Sequence, residues 1–145
     1  VQRSGCEILF RFACAEESCE RIITLGAAEL IQVAMREHLS DATLQVTGCH
    51  ALLRLSVQNP HSSCITGLGT ITVNTMMKMH CGDVAVQCMG CLLLCGFCRS
   101  AAERKFVGAS GSIDTVLDAM RAHAGSLSVQ RAGCAALQNL ALDDE

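Results

Sequence analysis

The segment Val129-Gln130-Arg131-Ala132-Gly133-Cys134 carries the pattern that decides the fold, because three close variants of it occur elsewhere in the chain. Each copy opens with an aliphatic residue and a glutamine and closes with glycine and cysteine. The copies begin at Val1, Leu44, Val86 and Val129, so their glutamines lie 43, 42 and 43 residues apart. A fixed spacing of this size is the signature of a repeat protein.

Two further columns of residues keep the same register. A histidine precedes the glutamine by seven residues at His38, His80 and His123, and a glycine follows it by 24 residues at Gly26, Gly69 and Gly111. A third column, four residues before the glutamine, holds Asp41, Asp83 and Ser126, which are residue types that cap helix N-termini. Three independent columns in register place helix boundaries at the same points of every unit.

Each unit is predicted to contain three helices. A long helix follows the capping residue and covers about 84–98 in the third copy. A short helix comes next, at about 17–25, 61–68 and 102–109, and ends where the glycine column is expected to break the chain sharply. Another helix then covers about 28–38, 71–80 and 113–123, with apolar residues at three- and four-residue steps, as one buried face requires. Counted from the short helix, this is the second helix of the unit, and the long helix that follows it is the third.

These elements predict an all-α fold in one domain, residues 1–145. Its units are 1–43, 44–85, 86–128 and a partial fourth, 129–145. Neither end reads as a polar capping repeat, so we expect a piece of a longer array whose uncapped ends could self-associate. Met35, Met76, Met77 and Met120 lie in or beside the apolar stripes and are predicted to be core residues.

The period and the three-helix unit resemble the armadillo family, whose third helix typically reads Val-Gln-x-x-Ala-x-Trp-Ala-Leu-x-Asn-Leu-Ala. Residues 129–141 read Val-Gln-Arg-Ala-Gly-Cys-Ala-Ala-Leu-Gln-Asn-Leu-Ala and match it almost column by column. The chain is similar to multi-repeat protist armadillo proteins and to the armadillo region of leucine-rich-repeat kinases. The resemblance covers the whole chain and implies a right-handed α-solenoid that acts as a protein-interaction scaffold and not as an enzyme.

In an armadillo stack the third helices line a concave groove that holds a partner segment. Carried onto this sequence, the resemblance implies groove residues at four-residue steps: Arg3, Glu7, Arg11; Val46, His50, Arg54; Cys88, Leu92, Gly96; Arg131, Ala135, Asn139. The importin-type ladder of Trp and Asn is not kept, because its Trp column reads Glu7, His50, Leu92 and Ala135. Binding of an import signal by that ladder therefore does not transfer.

The composition of this groove suggests what it would bind. Arg3, Arg11 and Arg54 are basic, whereas the third copy is apolar, and Gly96 is expected to let a partner approach closely. A protein segment or extended peptide with an acidic end and an apolar end would suit it. An ordinary solvated face is the plainer interpretation. A structural or regulatory solenoid inside a larger protein, such as a kinase-linked array, is the alternative function.

The cysteines Cys88, Cys91, Cys95 and Cys98 resemble a metal motif in spacing, but they lie on one predicted helix. Ten residues of helix extend about 15 Å, whereas one zinc holds its thiolates at about 2.3 Å, so neither a metal nor another cofactor is predicted. Cys88 faces the groove and is either a reactive thiol or an ordinary exposed cysteine, and a thiol or metal sensor is the least favoured function. The histidine column ends helices, where a ring can cap carbonyls.

Composition excludes several other classes. A net charge of −3 and a pI near 5.9 give no electrostatic case for binding nucleic acid. The longest apolar run, Cys88 to Cys98, has eleven residues, and a membrane helix needs about 18 or more. The chain has eleven cysteines, an odd number that cannot all pair, and half of its residues are hydrophobic, so its core does not need disulfides. We therefore expect free thiols in a reducing cytoplasmic setting, which a nuclear location would equally provide.

Overall fold

The computed structural model describes residues 24–58 and 63–142, and within these ranges all regular secondary structure is α-helical. The all-α prediction is confirmed for this part of the chain. The helices are α1 (Ala27–Glu37), α2 (Ala42–Gln58), α3 (Ser63–Met79), α4 (Val84–Phe97), α5 (Ala101–Ala109), α6 (Ser112–Ala122) and α7 (Leu127–Leu140). The predicted helix at 17–25 lies almost wholly outside the described residues.

The helices pack in two layers that follow the sequence repeat. The long helices α2, α4 and α7, which are the predicted third helices, form one layer, and α4 lies between the other two. The second helices form the other layer, in which α3 contacts both α1 and α6. Since each helix buries one face against the other layer, the core is a continuous set of buried side chains between the layers. It includes Ile31, Leu52, Met76, Leu94 and Phe97.

The glycine of each described Gly-Cys pair in the repeat permits the two layers to approach. A Cβ added to Gly48 would lie 2.6 Å from Met35 Sδ, and one added to Gly133 would lie 2.5 Å from Met120 Sδ. Gly90 has the same relation to Met77. Met35 and Met77 are fully buried, as predicted, so each methionine fills a space that only glycine leaves open.

The prediction of a break at Gly69 is wrong. Gly26 and Gly111 adopt left-handed conformations with φ 77° before α1 and α6, but Gly69 lies inside the continuous helix α3. The physical reason is chain length: Gly69 precedes His80 by 11 residues, whereas the other two glycines precede their histidines by 12. Because this segment is one residue shorter, it lacks the residue that forms the turn in the other units. The predicted short and second helices therefore join into the single helix α3.

The glutamine column anchors each third helix to the end of the second helix before it. Gln45 Nε2 donates to Met35 O and His38 O, both at 2.9 Å, and Gln87 Nε2 donates to Met77 O and His80 O, both at 2.8 Å. Gln130 repeats the pattern in the last unit. The methionine carbonyls belong to helix C-termini, where the last carbonyls have no partner within the helix. The histidine carbonyls also accept a backbone bond, from Asp41 N in the case of His38 O and from Asp83 N in the case of His80 O.

The histidine column joins neighbouring units. His80 Nε2 lies 2.5 Å from Leu39 O, and His123 Nε2 lies 2.7 Å from Cys81 O. In both cases the carbonyl belongs to the preceding unit, whereas the sequence suggested a cap on the histidine's own helix. A ring N–H that donates to this carbonyl fixes the offset between successive units, which is a structural role.

Two of the three predicted N-caps are confirmed. Asp83 accepts hydrogen bonds from Ala85 N and Val86 N, and Asp41 accepts one from Leu44 N. Ser126 precedes α7 but makes no capping bond; its hydroxyl lies 3.0 Å from Ser128 Oγ. The column therefore marks the helix start in every described unit, although its chemistry differs in the last one.

Candidate binding face

The predicted groove residues that the structure describes lie on the outer surface of α2, α4 and α7, away from the second-helix layer. We call this surface the long-helix face, and its residues are Val46, His50, Arg54, Cys88, Leu92, Gly96, Arg131, Ala135 and Asn139. His50, Arg54 and Arg131 are exposed, and the other six are half-buried. Arg3, Glu7 and Arg11 lie outside the described residues. Binding of a partner to this face stays a prediction.

The helices of this face run parallel. At one end of the α4–α7 pair, the Cys88 thiol lies 3.7 Å from Ser128 O; at the other, Asn139 Nδ2 donates to Cys95 O at 3.3 Å and lies 3.2 Å from Cys95 Sγ. N-terminal residues thus meet N-terminal residues, and C-terminal meet C-terminal. The same contacts show that the Asn139 amide joins two helices of the chain.

Gly96 makes a close approach, but to its own chain. A Cβ added to Gly96 would lie 2.7 Å from Leu53 Cδ1 of α2 and 3.8 Å from Ser56 Oγ. The sequence suggested that this glycine leaves room for a partner. In the structure the side chain of Leu53 uses that room, because α2 and α4 pack side by side at this level. Gly96 therefore permits helix packing.

The carboxylates of the described helices avoid the three long helices, whereas basic residues occur in both layers. The helices α2, α4 and α7 contain no Asp or Glu, and their charged residues are Arg54 and Arg131. Arg99, just after α4, extends this set and donates to Ser56 O. By contrast, the acidic residues within the helices lie on α1, α5 and α6: Glu29, Glu37, Glu103, Asp114 and Asp118. An acidic chain thus presents a long-helix face whose formal charges are all positive.

The distribution of charged residues among the helices can be found in the sequence, but the four-residue steps of the predicted groove do not include it. Arg99 was not among the predicted groove residues, because it falls after the end of the third helix. Helical spacing does not place it, and its position follows only from its hydrogen bond to Ser56 O at the end of α2. The absence of carboxylates from three whole helices is also visible in the sequence once the helix bounds are known.

The cysteines of α4 are divided by their surroundings. Cys91 and Cys98 are buried, and burial raises the pKa of the Cys91 thiol to about 12 and that of Cys98 to about 11. Burial also raises the pKa of Cys95. Thiols that hold their protons are poor nucleophiles and poor metal ligands. Among the residues that the structure describes, no group of three His, Cys, Asp or Glu side chains could hold a metal ion.

Comparison with family models, with curated proteins and with solved structures finds no match for this chain. No helix in the described ranges combines the length and apolar character that crossing a membrane requires. The repeat and the long-helix face are therefore the features from which a function can be inferred.

Proposed function

We propose that this chain is an armadillo-type right-handed solenoid and a protein-interaction scaffold that binds an extended acidic segment of a partner on the long-helix face. The observation that carries the proposal is the distribution of carboxylates: three adjacent helices have between them two arginines and a histidine on their outer surface and no carboxylate. The nearest acidic residues in the sequence, Asp41 and Asp83, lie at the N-caps of α2 and α4, so a carboxylate that approaches the middle of this face meets positive formal charges. Complementary charge of this kind steers association and selects partners.

The positions of the two arginines define a spacing for the partner. Arg54 lies near the end of α2, Arg131 lies near the start of α7, and α4 separates them. Adjacent packed helices lie about 8–10 Å apart, and the offset along the helix axis is about 12 Å. The backbone positions of the two arginines are then about 22 Å apart, which an extended chain crosses in about six or seven residues.

The surface between the arginines is apolar. Cys88 and Leu92 of α4 and Ala135 of α7 are half-buried there, so each offers part of its surface to a partner. Their burial would favour apolar side chains in the middle of the bound segment, by about 25 cal/mol for each Å² removed from water. The ligand is therefore an extended peptide with two acidic residues six or seven positions apart and apolar residues between them.

A library of random peptides displayed on phage tests this proposal without knowledge of the natural partner. We expect selected peptides to share the acidic–apolar–acidic pattern and to lose affinity as salt is added. In the double variant Arg54→Glu/Arg131→Glu, Kd should rise about tenfold or more, because each attraction becomes a repulsion. Selection of basic peptides, or of peptides with no common pattern, would contradict the proposal.

A matched control separates this effect from overall charge. Arg36 on α1 and Lys105 on α5 are also exposed, and neither lies on the long-helix face. The variant Arg36→Glu/Lys105→Glu changes net charge by the same amount and should bind the selected peptides like the parent chain. If both double variants lose affinity equally, the long-helix face is not the binding surface.

A second candidate is a structural or regulatory solenoid inside a larger protein, and the outer side of α7 favours it. Cys49 and Cys91 are fully buried where the next unit covers them, but the equivalent Cys134 is exposed and Leu127 is 72% exposed. Another repeat, or a second copy of the chain, would cover this side. Sedimentation of the chain and of Leu127→Asp tests self-association, which the aspartate should abolish.

A further inference from the structure

A cleft between the second helices of adjacent units lies outside the long-helix face. Its volume is about 280 Å³, and its lining residues are Met77, Lys78, Cys81, Gln87, Thr115, Asp118, Ala119 and Ala122. The buried Met77 and Ala119 form an apolar base, whereas a lysine, an aspartate, a glutamine and a thiol supply polar groups around it. A small ligand site commonly has this composition, with an apolar lining and a few convergent polar groups.

Gln87 gives this cleft an unused hydrogen-bond acceptor. The residue is 2% exposed, and its Nε2 donates to Met77 O and His80 O. Its Oε1 accepts no hydrogen bond from any described residue. Gln87 lines the cleft, so a ligand N–H or O–H there could donate to this oxygen.

The charged groups of the cleft stand on different helices. Lys78 belongs to α3 and forms no ion pair with a described residue, while Asp118 belongs to α6 and pairs with Arg121 at its own surface. A ligand with both a carboxylate and an ammonium group would place the first near Lys78 and the second near Asp118. The cleft therefore favours a zwitterion over a singly charged molecule.

The thiol adds a covalent step. Cys81 lies in the turn between α3 and α4, and it is exposed and free. We propose that the cleft binds a small disulfide of the glutathione-disulfide class, whose amino-acid ends each carry an ammonium and a carboxylate, and that Cys81 forms a mixed disulfide with it. The Cys81 thiolate attacks one sulfur of the ligand, the ligand S–S bond breaks, and the departing thiolate takes up the proton that Cys81 released. The ligand disulfide is the oxidant, so the exchange balances.

Cys134 is a matched control within the same chain. It is also exposed and free, and Arg131 precedes it by three residues, as Lys78 precedes Cys81. Simple attraction of an anionic disulfide would therefore favour both thiols. Only Cys81 lines the cleft, so a difference between the two thiols reports binding there.

The test measures the rate of mixed-disulfide formation at both thiols by peptide mass spectrometry, with oxidised glutathione and with the neutral 2-hydroxyethyl disulfide. We expect the ratio of the Cys81 rate to the Cys134 rate to be at least several-fold higher with oxidised glutathione. Lys78→Gln and Asp118→Asn should each lower that ratio about two- to fivefold, as loss of one exposed charge contact predicts. The neutral disulfide should show no such change.

A third variant fills the cleft without removing a charge. Ala122 is exposed at its edge, so Ala122→Leu should lower the oxidised-glutathione ratio while iodoacetamide, which is small and neutral, still alkylates Cys81 at the parent rate. Equal ratios for the two disulfides in the parent chain would overturn the proposal. So would a ratio that none of the three variants changes.

Discussion

The glutamine at the start of each third helix should contribute more to stability inside the stack than at its edge. Gln87→Ala removes two hydrogen bonds of 2.8 Å; it leaves Met77 O without its side-chain partner, whereas His80 O keeps a bond from Asp83 N at 3.0 Å. The Gln87 side chain is 2% exposed, so water replaces it poorly. The bond whose loss leaves Met77 O unpaired costs about 1–3 kcal/mol and the bond to His80 O about 0.5–1.5 kcal/mol, so we expect the free energy of unfolding to fall by about 2–4 kcal/mol.

The same substitution at Gln130 is the control. Gln130 makes the equivalent two bonds, at 2.7 and 3.2 Å, but it is only half-buried. Water can reach its acceptors, so Gln130→Ala should cost about 1–2 kcal/mol. Urea unfolding followed by far-UV circular dichroism measures both losses, with an unchanged dependence on denaturant showing that the unfolded states are alike. Equal losses, or a loss below about 1 kcal/mol for Gln87→Ala, would refute the reasoning.

Three further predictions concern stability. Asp83→Ala removes both capping bonds of α4 and should lower the free energy of unfolding, measured in urea, by about 1 kcal/mol. Ser126→Ala removes no capping bond and should leave it nearly unchanged. A larger loss for Ser126→Ala than for Asp83→Ala would contradict this. Gly69→Ala places a Cβ 2.8 Å from Phe97 Cζ and should lower the free energy of unfolding by about 1–3 kcal/mol through overpacking, and a stabilised variant would show that Phe97 moves freely. Burial raises the pKa of Cys91 from 9.0 to about 12, so the folded chain keeps a proton that the unfolded chain loses; this stabilisation is complete below pH 9 and falls as pH rises towards 12. The decline should be shallower in Cys91→Ala, and identical profiles would exclude Cys91 as a cause.

The sequence predicted the element types well because the columns mark helix ends. Asp41 and Asp83 begin helices, and Gly111 ends the short helix of its unit by adopting a left-handed conformation. The error at Gly69 arose from treating the glycine column as uniform. The spacing of 42 residues between Gln45 and Gln87, one shorter than the other two, was the available signal.

The side-chain roles were less predictable than the elements. The sequence showed that glutamine and histidine recur, but their hydrogen-bond partners depend on how far one unit is displaced from the next. His80, for example, reaches the carbonyl of Leu39, 41 residues earlier. The same limit applies to the candidate binding face: four-residue steps gave its positions, whereas the contact of Gly96 with Leu53 depends on helix packing.

The joined helix α3 also shows where such a chain can change length. Loss of one residue within a helix turns every later side chain by about 100° about the axis, which would remove a downstream interface. Here the unit with the shorter spacing keeps His80 and Gln87 on the same carbonyl partners as in its neighbours. The one-residue difference is thus taken up between Gln45 and His80, and we expect designed arrays of this repeat to accept a change of period there without loss of stacking.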